Sequence, residues 1–135
     1  VFLRCTMGVS RAFGMAEHNI LGWKGEEAAV NYLESKGHRV LERNWRSRGY
    51  EIDIISMDAG FIVFVEVKTR TSSAWGYPEE FIGKQRVRRM IRAASHYLKM
   101  HRVDCPARFD IVAVVWNNER FELEHIEDAF LSFPE

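Results

Sequence analysis

The sequence predicts one α/β domain: a central mixed sheet of five strands flanked by helices, in the order αβββαββ. Three observations carry this expectation. Apolar residues recur at helical spacing over 22–36 and again over 83–101. Between them lie two β-branched runs, Tyr50 to Met57 and Phe61 to Lys68, joined by the hairpin signal Asp58-Ala59-Gly60. The 135 residues, 47% of them hydrophobic, suffice for one core but not for two typical domains.

Residues 1–19 are set aside as a flexible N-terminal extension or cloning remnant, leaving 20–135 as the domain. Ala28, Ala29, Tyr32 and Leu33 define the first helix, and Gly37 is placed to stop it. Val40 to Trp45 alternates loosely as a first strand, and the polar turn Arg46-Ser47-Arg48-Gly49 leads into the second. These strands and Phe61–Lys68 read as a meander. Thr69 to Glu80 has no period and reads as a long loop. In the second helix Val87, Ile91, Ala94 and Leu98 form the expected buried stripe, widened by Met90 and Tyr97. Arg108 to Trp116 and Arg120 to Ile126 complete the strands across an Asn117-Asn118 turn. Trp23 and Trp45 are assigned to the core.

The formal net charge is zero, so general affinity for polyanions does not follow from composition. The distribution is uneven, however. Between Phe81 and Val103 there are seven Lys or Arg and no acid, while acids dominate from Glu119 onward. Cys5 and Cys105 lack CxxC spacing, nothing about them suggests a disulfide framework, and a reducing cytoplasm fits best. No apolar run approaches the length of a membrane span.

Two short strings stand out: Glu51-Ile52-Asp53 and Glu66-Val67-Lys68. Strand alternation puts Glu51 on a face with Asp53, and Glu66 on a face with Lys68. Charges inside apolar strands are costly unless paired or metal-bound. Across the Asp58 turn, either plausible register brings Asp53 near Glu66, and two adjacent carboxylates repel unless a proton or cation intervenes. Carboxylates with a backbone carbonyl such as that of Val67 suit Mg²⁺ or Mn²⁺. Lys68 is positioned to assist an attacking water or to neutralise charge on a phosphate. Glu26 falls on the inward stripe of the first helix, where it would bind a metal through water or serve only the helix dipole. Glu51 is either an outer carboxylate or the partner of an arginine.

Gly25-Glu26-Glu27-Ala28-Ala29, Gly37-His38-Arg39-Val40-Leu41, Asn44-Trp45-Arg46, Glu51-Ile52-Asp53-Ile54-Ile55, Phe64-Val65-Glu66-Val67-Lys68-Thr69-Arg70, Lys84-Gln85-Arg86, Ala93-Ala94-Ser95-His96-Tyr97-Leu98 and Arg108-Phe109-Asp110-Ile111-Val112 resemble the YraN-like family. That bacterial group is largely uncharacterised, and its fold is similar to archaeal Holliday-junction resolvases and the PD-(D/E)XK nucleases. The resemblance implies a restriction-endonuclease-like three-layer domain in which Glu26, Asp53 and Glu66 are metal ligands or water-holding acids and Lys68 is the catalytic lysine. One departure is visible. The family usually has Gly immediately before the Glu-Ile-Asp string, whereas this chain has Tyr50 with Gly49 displaced by one. Tyr50 is therefore a candidate for altering substrate entry.

On the basic helix, Lys84, Arg88 and Arg92 are candidate phosphate contacts, Gln85 is placed near the metal or a phosphate, and Arg70 joins them. Trp75 and Tyr77 are candidates for stacking on bases, against a preferred packing role. Asp110 is expected to pair structurally, and His96 with His101 has the wrong spacing for zinc. The function expected is a divalent-metal-dependent nuclease hydrolysing DNA phosphodiesters, structure-specific for branched or damaged DNA, by in-line attack of a metal-activated water. Resolvase-like action on a two-fold junction requires a homodimer. The alternative is a non-catalytic nucleic-acid-binding accessory module of the same fold, and a third reading is a scaffold with a structural ion-pair network.

Overall fold

A computed structural model describes residues 14–71 and 82–130. The order is α1 (Gly14–Ser35), β1 (Arg39–Ser47), β2 (Tyr50–Asp58), β3 (Phe61–Arg70), α2 (Lys84–Met100), β4 (Ala107–Trp116) and β5 (Phe121–Ile126). This is the expected αβββαββ order. Trp75 and Tyr77 lie outside the described residues.

The five strands form one sheet in sequential order. All neighbours are antiparallel except β3 and β4, which run parallel with α2 as the crossover, so the sheet is mixed. The β1–β2 and β2–β3 hairpins use two-residue turns with positive φ at both positions, Arg48 at 52° with Gly49 at 83°, and Ala59 at 50° with Gly60 at 87°. That is the type I′ pattern, whose twist matches the strands. It sets the β2–β3 register as Asp58↔Phe61 through Ile54↔Val65. Gly49 takes its positive φ within the turn, and Tyr50 after it does not adopt a left-handed backbone.

Alternation along β3 divides the core. Val63 and Val65 pack with Ile54, Val112 and Val114 beneath Ala29, Val30 and Leu33 of α1. On the other face, Ile62 and Phe64 pack with Ile52, Ile55 and Trp45 beneath Ala93, Ala94 and Tyr97 of α2. The domain is thus helix, sheet, helix in section. At the end of α1, Gly37 at φ 99° lets the His38 N–H reach the Leu33 carbonyl at 3.0 Å and its own N–H reach that of Glu34 at 3.0 Å. This Schellman closure delivers His38 into the sheet edge, where it is 5% exposed.

Several sequence expectations are corrected. The first helix begins at Gly14 rather than Gly22. Trp23 is 53% exposed, with the Lys24 ammonium 4.8 Å from its ring centroid, because α1 overshoots the sheet at that end. In α2 the buried stripe is Val87, Met90, Ala93, Ala94 and Tyr97, and Ile91 is 36% exposed. A stripe spaced 87, 90, 94, 97 leaves 91 on its flank.

Gly25 marks where α1 meets the sheet. A Cβ there would overlap the side chain of Thr69 near the end of β3. The bare backbone brings the neighbouring Glu26 close to the strand ends. Alanine favours helix over glycine by about 1 kcal/mol, yet Gly25→Ala is expected to lower the melting temperature, because overpacking costs roughly 1–3 kcal/mol. Combining it with Thr69→Ala should recover part of the loss in a thermal melt.

Candidate functional site

The site forms where β2 and β3 separate. Their ladder stops at Ile54↔Val65 although both strands continue. Ile54 packs under α1 while Ile52 packs under α2, so the alternation of β2 is broken at the residue between them, Asp53. Released from the ladder, Asp53 turns its carboxylate toward β3, where Oδ2 accepts the Val67 N–H at 2.8 Å. Val67 thus enters the structure through its N–H, a contact absent from the sequence expectation, which assigned only its carbonyl.

Three acids share this opening. Burial, then the charge of Glu66, and more weakly that of Glu26, hold the Asp53 carboxyl up to about 7. Glu66 is buried at 7% exposure. Glu26 is half-buried, and its pKa is raised first by burial, with Glu51 and Glu66 adding to the rise, while a hydrogen bond from Asn44 and the charge of Arg43 oppose it. Asp53 and Glu66 thus act on each other through their charges, as the strand register leads one to expect, and Glu26 is near enough for its charge to act on Asp53.

Arg86 is a part of this site that the sequence reading missed. Its Nε and Nη2 donate to Glu66 Oε2 and Oε1 at 3.1 and 3.0 Å, a bidentate pair. Burial works against the guanidinium charge, but the hydrogen bond and charge of Glu66 outweigh it and raise its pKa. A signal existed: 86, 90, 93 and 97 are spaced as one helical row, so Arg86 extends the buried stripe rather than the solvated face. Lys68 lies two residues beyond Glu66 on the same face of β3, where pairing with β4 stays regular through Arg70↔Val115. Among the described residues Lys68 has no ion pair. Glu51, by contrast, is exposed and pairs with Arg46 at 3.2 Å, so of its two expected roles the structure shows the arginine partner.

A basic pocket adjoins the opening. About 540 Å³ in volume, it is walled by Arg48, Gly49 and Tyr50 of the β1–β2 turn and by Gln85, Arg88, Arg89 and Arg92 of α2. No acid lines it. Arg48 and Arg89 join the expected Gln85, Arg88 and Arg92, while Lys84 opens the helix and Arg70 closes β3. Tyr50 lies in this wall, beside the His96 ring at 5.8 Å.

The fold and site define a small helix–sheet–helix α/β domain with a partly buried group of acids at the splayed ends of its central strands and a basic helix beside it. A family model described as "Uncharacterised protein family UPF0102" matches residues 25–114, a span that holds the acids, Lys68 and the whole of α2. The chain belongs to this family, the YraN-like group whose motifs it resembles. A UPF0102 protein of Bacteroides thetaiotaomicron is 45% identical over 116 residues, covering 86% of this chain and 96% of the relative. Another from Geobacter metallireducens is 45% identical over 118 residues, covering 86% and 97%. One from Christiangramia forsetii is 41% identical over 119 residues, covering 88% and 100%. No helix among the described residues is long and apolar enough to cross a membrane.

Proposed function

We propose that the protein is a divalent-metal-dependent nuclease of restriction-endonuclease-like fold, related to the PD-(D/E)XK and Holliday-junction-resolvase group, that hydrolyses DNA phosphodiesters. The observation that carries this reading is the coupling of Asp53 to the charges of Glu66 and Glu26, from three elements, in the β2–β3 opening, with Lys68 two residues beyond Glu66 on the same strand. The donor set fits Mg²⁺ or Mn²⁺. It is all oxygen, and the close approach of Asp53 and Glu66 leaves negative charge that a small hard cation relieves. Arg86 orients Glu66 without exhausting it, because each carboxylate oxygen keeps a further lone pair. Asp53, Glu66 and the Val67 carbonyl would hold the ion, with Glu26 contributing through water. A bound ion would supply Lewis-acid polarisation of the phosphoryl oxygen and a more acidic water.

The chain's own residues supply the rest. The Val67 N–H and Arg86 hold the two central carboxylates in place. Lys68 offers its ammonium to an attacking water or to the charge developing on the phosphate. Phosphates of the strand would lie in the basic pocket. Helix α2 has no acid in its first turn and no side-chain cap at Gly83, yet it carries arginines at its positive end. A helix N-terminus favours negative charge, and among the described residues Arg48, Arg88, Arg89 and Arg92 have no ion pair. A phosphate backbone supplies the missing anions.

Labelled single-stranded, duplex, flapped and four-way DNA, incubated with Mg²⁺, Mn²⁺ or chelator, test the reading. Cleavage is expected only with metal, reduced by about 10² to 10⁴-fold in Lys68→Ala. Arg88→Ala with Arg92→Ala should weaken DNA binding evenly across sequences and flatten its salt dependence. Salt-sensitive binding without cleavage on any substrate would leave only the accessory-module reading.

A further inference from the structure

A second cluster of chemically capable side chains lies at the other end of α1, built from parts of the sequence far apart. His38 comes from the loop after α1, Asp58 from the β2–β3 turn, Asp110 from β4 and His125 from β5. One ligand atom each from His38, Asp110 and His125 falls within 4.8 Å of the others. The side chains of His38, Asp110 and His125 are 2%, 0% and 6% exposed. Asp58 stands at the open edge, its Oδ2 3.5 Å from His38 Nε2.

His38, Asp110 and Asp58 each have a polar partner outside the cluster, and the His125 ring packs edge-on against Tyr32. His38 Nδ1 lies 2.8 Å from Ser56 Oγ, so a proton on Nδ1 leaves the Nε2 lone pair facing the cluster. Asp110 Oδ1 accepts from Arg108 Nε at 2.9 Å and from the Asp128 N–H at 3.1 Å. Its Oδ2 accepts from Arg108 Nη2 at 2.9 Å and lies 2.8 Å from His125 Nε2. Arg108 Nη1 also reaches Asp58 Oδ2 at 3.2 Å. Groups held in this way resemble metal ligands with their outer hydrogen-bond partners. Ser56, His38 and Asp58 do not form a nucleophile relay, since Ser56 is 0% exposed and no substrate reaches it.

Charge gives the same answer. Two carboxylates face one guanidinium and two imidazoles, so with both imidazoles neutral the cluster carries one net negative charge, which a cation offsets. Two imidazoles select a borderline first-row ion over Mg²⁺ or Ca²⁺. Ligand atoms around tetrahedral zinc lie about 3.3 Å apart, so an ion would open the His125–Asp110 pair from 2.8 Å and draw in the pairs that lie out to 4.8 Å.

We propose that His38, Asp110 and His125, with Asp58 as fourth ligand, form a structural site for a divalent first-row transition ion, zinc being the ion that the tetrahedral two-nitrogen, two-oxygen set fits. The ion clamps the end of α1, the β2–β3 turn, β4 and β5 together. The site is separate from the β2–β3 opening and does not depend on the nuclease reading.

The test uses the full chain stripped with chelator. Zinc is titrated in competition with a chromophoric chelator, thermal melts are run with and without zinc, and Co²⁺ is added as a visible-spectrum probe. One equivalent of zinc should bind and raise the melting temperature, and Co²⁺ should give the intense bands of tetrahedral coordination. His38→Gln and His125→Gln should each weaken zinc binding by about 100-fold or more, while Asp53→Asn leaves it unchanged. If the histidine variants do not fold, the Co²⁺ spectrum of the unaltered chain and the Asp53→Asn titration still decide. Octahedral Co²⁺ alone, no zinc retained at micromolar concentration, or binding lost in Asp53→Asn and kept in the histidine variants would overturn the proposal.

Discussion

Asp53→Asn is expected to melt higher than the unaltered protein at pH 8 in chelator, and to lose both Mg²⁺-dependent stabilisation and cleavage. Burial first, and the charge of Glu66 second, raise the Asp53 carboxyl from 3.8 to about 7. The folded state therefore prefers the neutral form. The stability this confers is fully present below the unfolded value of 3.8 and is lost as pH rises through about 7. At pH 8 the ionised Asp53 opposes folding by at most roughly 4 kcal/mol, from the 1.36 kcal/mol that each pKa unit represents. Asparagine keeps an oxygen for the Val67 N–H and carries no charge, so it removes that opposition.

The gain should shrink at pH 5, where the folded aspartic acid is already largely protonated. Added Mg²⁺ should raise the melting temperature of the unaltered protein more at pH 8 than at pH 5, because the ion competes with a proton. It should leave Asp53→Asn where it was. A lower melting temperature for Asp53→Asn at pH 8 without metal would refute this account of the acid cluster. A site tuned for a cation is thus expected to weaken the fold that carries it, the usual trade of stability against activity.

The largest loss of stability is expected at Asp110. Burial opposes its charge, but hydrogen bonds from His125, Arg108 and the Asp128 N–H outweigh it and bring the carboxyl down to about 2. Asp110→Ala takes the bidentate partner from Arg108, which is 9% exposed, leaves it only the 3.2 Å contact with Asp58, and leaves the Asp128 N–H without its acceptor. Removing one partner of a buried pair costs about 3–5 kcal/mol. For a domain of this size the melting temperature should fall by roughly 10 °C or more. A double variant, Asp110→Leu with Arg108→Met, should recover much of the loss, because it removes the bidentate pair together and leaves only Asp58, 23% exposed and 3.5 Å from His38, without its arginine. Denaturant unfolding of the two single variants and the double variant measures the coupling. Additive losses would show that the pair does not act as a unit.

Much of the fold was legible because it rests on local chemistry. The β-branched run of β3, the Asp58-Ala59-Gly60 turn and the Gly37 stop all act within a few residues, and each lies where expected. The register that brings Asp53 beside Glu66 followed from the length of that turn. What periodicity misjudged depends on where an element ends against its neighbour. Trp23 has the spacing of a core residue but sits beyond the sheet, and Ile91 lies beside the stripe that α2 buries. Helical spacing describes one helix and says nothing of the surface it meets.

The sequence by itself determined the two charged strings, the strand alternation that joins Glu66 to Lys68, and the acid-free basic helix, because these depend only on residue order and backbone period. Tertiary structure alone decided the separation of β2 and β3 at Asp53, the grip of Arg86 on Glu66, and the convergence of His38, Asp58, Asp110 and His125. Each joins side chains from different elements, and their meeting is set by how strands pair and helices cross them. Strand and helix periods fix which way a side chain points from its own backbone; only packing fixes what it points at.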